Sequence, residues 1–333
     1  MHRSLAVALP LALLLACRKD GPTSTDTQLE ADADTDADSD SDSDADADTD
    51  SDADADLGAR TTLYLSWDTS GTPVTNLSSY AEGCPSGSTF VGGTGYAVAC
   101  LTDTPAGQVS MSWVPDGSTA TDLDDRSDAC PSGTTFVGGN SYNVTCLDSA
   151  PSTAVYNSWT TSGATAIDLE DRAEACPSGY DFVGGSSYAV TCYKRALEHL
   201  VALTWLPDGS VAIDLEEPSE ACPAGTTFVG GNSYAVNCLG SGPGTALSLA
   251  WLPDGSPATD LDDPQDACPA GFDFVGGNSY SVVCYATEAR AVVSLSWTTS
   301  GESARALDDR QDACPSGFTF VGGNGYDVVC LED

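Results

Sequence analysis

Histidine is nearly absent. The 333-residue chain has only His2 and His199, so a Ser-His-Asp triad, a Cys-His pair or a histidine-rich zinc site has almost nothing to draw on. Basic residues are scarce as well. Eleven Lys and Arg stand against 50 Asp and Glu, a formal charge of −39. Nucleic-acid binding needs Lys and Arg to meet phosphates, so this balance argues against it. The same excess favours solubility and self-repulsion. No C-x-x-C spacing occurs among the 13 cysteines, which removes the usual signature of a thiol redox catalyst. The apolar stretch Leu5–Ala16 is too short for a comfortable transmembrane helix.

The first residues, "MHRSLAVALPLALLLAC", carry one Arg, a short apolar core and small residues before Cys17. This is the layout of a secretory signal. The end, "LLAC" (Leu14–Cys17), resembles the lipobox of bacterial lipoproteins. The resemblance implies that residues 1–16 are removed and that Cys17 carries lipid at the mature N-terminus. An ordinary signal peptide is the alternative. Residue 18 is Arg rather than Asp, which by analogy with enteric lipoproteins implies the outer membrane or cell surface of a Gram-negative bacterium. The membrane partner is then reached through the lipid.

Residues 17–60 read as a tether. Every second residue from Asp32 to Asp56 is Asp, and neither face of the alternation is apolar, as a strand would require. Like charges repel and nothing offsets the entropy of ordering, so disorder is expected. Fully extended, residues 18–60 reach roughly 140–155 Å. The D-x-D-x-D spacing opens an EF-hand loop, but the glycine at its sixth position and its closing Glu are missing.

Residues 61–333 are one unit copied six times. Trp67, Trp113, Trp159, Trp205, Trp251 and Trp297 fall 46 residues apart and are all the tryptophans in the chain. Phe90 and Tyr96 and their counterparts keep the same step. So do the cysteine pairs 84/100, 130/146, 176/192, 222/238, 268/284 and 314/330. A period of this size marks a propeller, solenoid or array. The repeats run at about 61–106, 107–152, 153–198, 199–244, 245–290 and 291–333. In the fourth, "LVALTWL" (Leu200–Leu206) alternates as a strand, "PDGS" is a turn, and "VAIDL" (Val211–Leu215) returns as a second strand. "EEPSEACPAG" allows one capped helical turn. "TTFVG" and "YAVNCL" form a second hairpin around "GNS". Four strands per repeat, about 24 in all, are expected.

Twelve cysteines pair off and leave Cys17 for lipid. Zinc would need four ligands where each pair supplies two, and an exported chain permits disulfides. We therefore expect Cys84–Cys100, Cys130–Cys146, Cys176–Cys192, Cys222–Cys238, Cys268–Cys284 and Cys314–Cys330. Each closes a loop of about 17 residues, worth roughly 3 kcal/mol in the chain-entropy view. A 46-residue unit has little core of its own and needs such help. The repeated glycine pair (Gly138-Gly139 in the second copy) reads as a close-packing or positive-φ device. The repeated Trp and Tyr serve either as core or as a binding platform. The acidic runs Asp122–Asp125, Asp168–Asp171, Asp214–Glu217 and Asp260–Asp263 either collect Ca²⁺ or cap turns and line a solvated rim. No other cofactor is expected.

Together these features indicate an all-β, six-bladed β-propeller with one disulfide per repeat. Two β-trefoils, or an array of β-repeats, are the alternatives. The "FVGG…Y" stretch resembles kelch repeats, and "GGNSYxVxC" with "SW…G" is similar to repeats of the regulator of chromosome condensation type. Both likenesses imply a propeller and transfer no site. The functional expectation is a lipid-anchored, surface-displayed binding or scaffold module, such as a lectin or adhesin that meets an extracellular glycan or protein. A propeller-type glycosidase and a purely structural envelope spacer are the other classes. In a repeat protein a single site sits where the copies differ. The largest departure is "YKRALEHL" (Tyr193–Leu200), so Lys194, Arg195, Glu198 and His199 are the candidate ligand-binding residues, with Glu198 and His199 the candidate for hydrolysis.

Overall fold

The computed structural model describes residues 59–333. The signal segment, the lipid site at Cys17 and most of the acidic tether lie outside the described residues. No α-helix occurs among the described residues, and no helix there is long and apolar enough to cross a membrane. Eighteen strands, numbered β1–β18 in chain order, form six antiparallel three-stranded sheets, one per repeat.

The first repeat sets the pattern. β1 (Arg60–Leu65) and β2 (Ser88–Thr94) flank β3 (Ala97–Pro105), so the last strand of the repeat is the middle of its sheet. That strand carries the second cysteine, and burial is complete there: Val98, Ala99 and Cys100 are sealed from solvent. All six expected disulfides are present. Each ties the middle strand to a short 3₁₀ turn that ends just before the first cysteine. In the second repeat this turn is Arg126–Ala129, capped by the Asp125 side chain, which accepts from Ser127 N–H at 2.9 Å. In the fourth repeat the expected turn forms at Pro218–Ala221, but the expected cap does not: Glu217 makes no side-chain hydrogen bond to it.

The expected count of four strands is corrected to three. "VAIDL" is no strand: Val211 makes one isolated bridge to Trp205, and Ala212–Asp214 curls into a 3₁₀ turn. The "PDGS" turn is held by Asp208, whose carboxylate accepts from Ser210 N–H at 2.9 Å. The chain then bends so that Ala212, fully buried, plugs the base of the sheet instead of extending an edge. The first strand of this repeat, β10 (Glu198–Leu203), also starts two residues earlier than the sequence indicates.

The core lies between repeats. One cluster combines Val91, Ala99 and Leu101 of the first repeat with Val293, Leu295 and Val328 of the sixth, and another packs Val321 and Leu331 of the sixth against Leu247 and Leu249 of the fifth. This answers the small-core problem: a unit that cannot bury enough apolar surface alone does so against its neighbours. Neighbours are also joined by one recurrent bridge. Trp67 pairs with Gly139, Trp113 with Gly185, Trp159 with Gly231, Trp205 with Gly277, Trp251 with Gly323, and Trp297 with Gly93. The contacts pass from the third repeat to the fourth and from the sixth back to the first. Two separately closed sets of three repeats, as paired trefoils require, are therefore not formed, nor are independent beads.

Candidate functional site

The second hairpin of each repeat reverses through two residues. In the second repeat β5 (Thr135–Asn140) and β6 (Asn143–Asp148) pair Asn140 with Asn143, leaving Ser141 and Tyr142 as the tip. Ser141 takes φ +54°. Positive φ at the first tip residue is the pattern of a type II′ turn, which matches strand twist. Glycine replaces this serine in the first and sixth repeats, at Gly95 and Gly325. The second tip residue is always Tyr. A side chain there projects beyond the sheet, and Tyr96, Tyr142, Tyr188, Tyr234, Tyr280 and Tyr326 are 76–87% exposed. Neighbouring tips adjoin: Ser186 Oγ meets Asn143 Oδ1 at 3.3 Å, Ser281 Oγ meets Asn324 Oδ1 at 3.2 Å, and Thr94 Oγ1 donates to Asp327 at 3.1 Å. Burial raises the Asp327 carboxyl above its ordinary value, with the Thr94 hydrogen bond opposing.

Tryptophan has the opposite fate. Trp67 and Gly139 exchange backbone hydrogen bonds (3.2 and 3.0 Å), and the indole Nε1 donates to Ser141 O at 3.1 Å. The ring lies so flat on the glycine that a Cβ there would stand 2.0 Å from Trp67 Cζ2. Gly138, at φ +123°, would likewise set a Cβ 2.5 Å from Trp67 O. Phe136 packs on the indole at 5.9 Å and Arg126 covers it at 5.3 Å. The tryptophan of one repeat is thus clamped by the glycine pair, Phe and turn of the next. At the seam between the sixth and first repeats Tyr80 takes the Arg position over Trp297, at 5.3 Å. The glycine pair has the structural role, and tryptophan is an inter-repeat wedge.

The structure does not bring the four departures of "YKRALEHL" together. Lys194 Nζ meets Glu198 Oε1 at 2.6 Å, and Tyr180 donates to the other oxygen of Glu198. Burial and this carboxylate push the Tyr180 phenol far above its usual range. Arg195 turns away to Asp148, Nε to Oδ2 at 2.6 Å, where Tyr193 also donates. Burial acts to raise the Asp148 carboxyl, but the hydrogen bonds from Tyr193, Arg195 and Ala150 N–H outweigh it and hold it below the usual carboxylate value. His199 is 8% exposed, stacked on Tyr285, with Nε2 2.6 Å from the Tyr285 hydroxyl and Nδ1 3.1 Å from Gly242 O. Glu198 and His199 are consecutive on β10, so they point to opposite sides of the sheet. Each has protein partners, and no acid–histidine pair converges on a common point.

Three of the four acidic runs act within the chain, whereas Glu217 of the fourth repeat makes no cap hydrogen bond. Asp125, Asp171 and Asp263 each cap the turn that follows them, and no group of three His, Cys, Asp or Glu able to hold a metal occurs among the described residues. The exposure of the tip tyrosines was not readable from composition, because Tyr serves core and surface equally. The available signal was its place as the second residue of a two-residue turn. Compared with known protein families, curated proteins and solved structures, the chain matches none of them.

Proposed function

We propose that the chain is a surface-displayed binding protein: a closed six-bladed β-propeller, held by lipid at Cys17 and lifted from the outer membrane by the acidic tether, that meets its ligand with the hairpin tips. One observation carries this reading. Six tyrosines at one repeated position are 76–87% exposed, while the repeated Trp and Phe are packed between sheets. A tyrosine at a hairpin tip adds little to folding, yet every copy keeps it. Tyr offers a rigid apolar face and a polar end, which suits it to contact surfaces. Six such contacts also supply avidity, since each engagement raises the local concentration for the next. The partner class is an extracellular glycan or protein.

The test replaces all six tip tyrosines with Ser in the full chain and compares retention on a glycan array and on intact cells. Thermal unfolding should be unchanged, because the tips are solvent-exposed. Retention should fall by about tenfold or more, the scale expected when several aromatic contacts are lost. Unchanged retention would contradict the proposal.

A further inference from the structure

Resting on that reading, we infer that the cleft between the second, third and fourth repeats on the tip face is a single subsite for a neutral carbohydrate. The cleft holds about 500 Å³ and is lined by Tyr188 and Asn232 from the hairpins of the third and fourth repeats. Gln108, Ser110, Asn143 and Tyr156 line it as well. No lining residue is charged, in a chain with 50 Asp and Glu. Elsewhere the Asn143 position carries a carboxylate, Asp327 in the sixth repeat. A wall of amides, hydroxyls and phenols without charge suits a ligand that is itself neutral and rich in hydroxyls, with tyrosine faces for its C–H surfaces.

One atom points to such a ligand independently. Gln108 Oε1 is buried and has no hydrogen-bond partner. Buried acceptors are nearly always satisfied, and an orphan calls for an explanation. Gln108 is also singular: the other repeats carry Thr62, Ala154, Leu200, Ala246 and Val292 there. A ligand hydroxyl would satisfy it once the side chain turns Oε1 from its sealed position toward the cleft. Beside it, the Tyr156 hydroxyl accepts from Ser110 N–H at 3.0 Å, so its own proton is available to a ligand oxygen.

The wall behind Tyr156 is built only at this seam. Asn157 stands where the other repeats have Leu65, Met111, Leu203, Leu249 and Leu295. It is fully buried and donates to Ala175 O and Val229 O at 3.0 and 2.8 Å. Asn237 in turn donates to Tyr156 O and to Asn157 Oδ1, both at 3.0 Å. Polar groups therefore replace core aliphatics and fix the backbone of the residue that lines the cleft, as a preorganised site requires.

The test titrates the full chain with mannotriose, galactotriose, cellotriose and triacetylchitotriose, with sialylated and sulphated trisaccharides as charged controls. We expect one or more neutral sugars to bind at one site per chain. Gln108→Ala and Asn143→Ala each install a residue that sibling repeats already carry, so both should fold, and each should weaken that binding by about tenfold, one hydrogen bond's worth. Failure of every neutral sugar to bind, or equal binding of the charged ones, overturns the subsite. Binding that is lost with the tip tyrosines but untouched by both substitutions also overturns it, while leaving the tip face standing as the contact surface.

Discussion

At Asp148 one carboxylate, 1% exposed, ties two repeats together by accepting from Tyr193 and Arg195 of the next unit. Its pKa in the folded state lies below the usual value, near ~3.9 in an unfolded chain. The stabilisation is therefore complete above that value and is lost as pH falls through the folded-state pKa. Asp148→Asn should lower the free energy of unfolding at pH 7 by about 1–3 kcal/mol, read by denaturant titration, and the gap to wild type should close as pH drops below ~4. A gap as large at pH 3 as at pH 7 would refute this origin. Residue identity alone placed Lys194, Arg195, Glu198 and His199 in one stretch, but not their directions. Whether Glu198 and His199 face each other depends on where β10 begins, and the sequence pattern starts that strand two residues late. Gln108 escaped notice for a related reason: an orphaned oxygen is a property of packing, not of spelling.

Among elements, the contact between Trp and the next hairpin organises the molecule. Gly139 shows how tightly. Its φ is ordinary, so any cost of a side chain there is steric: the added Cβ would stand 2.0 Å from Trp67 Cζ2 and 2.2 Å from Asn143 O, neither free to move away. Gly139→Ala should lower the free energy of unfolding by roughly 2–4 kcal/mol. Gly117→Ala is the control. Its φ is +89° with open space around the site, so only the backbone term of about 1–2 kcal/mol applies. Equal losses at the two positions would mean that the clamp contributes nothing. Much at this scale was legible. The 46-residue period, the cysteine pairing and the second hairpin all follow from residue spacing. The supposed strand at Val211–Leu215 did not form, because after Val211 bridges Trp205 the chain turns to bury Ala212. Periodicity over five residues could not separate those outcomes.

For the whole molecule, the proposed binding face requires the six tips to share one side of a ring, and that depends on closure. The seam between the sixth and first repeats reproduces the common clamp through Trp297 and Gly93. It adds contacts of its own: Arg60 meets Glu332 at 2.6 Å, and Tyr64 donates to Ser294 O at 3.3 Å. Sequence could give the number of units and their step, but an array and a ring of equal repeats are spelled alike. What distinguishes them is this one seam, written in residues from 202 to 272 positions apart. The most direct test is a set of distances in solution. Spin-labelled non-natural residues placed at tip pairs 96/142, 96/234 and 96/326 leave all six disulfides intact. A closed ring predicts equal distances for 96/142 and 96/326, with 96/234 the longest of the three. A 96/326 distance exceeding 96/234 would mean an open array and would contradict the account.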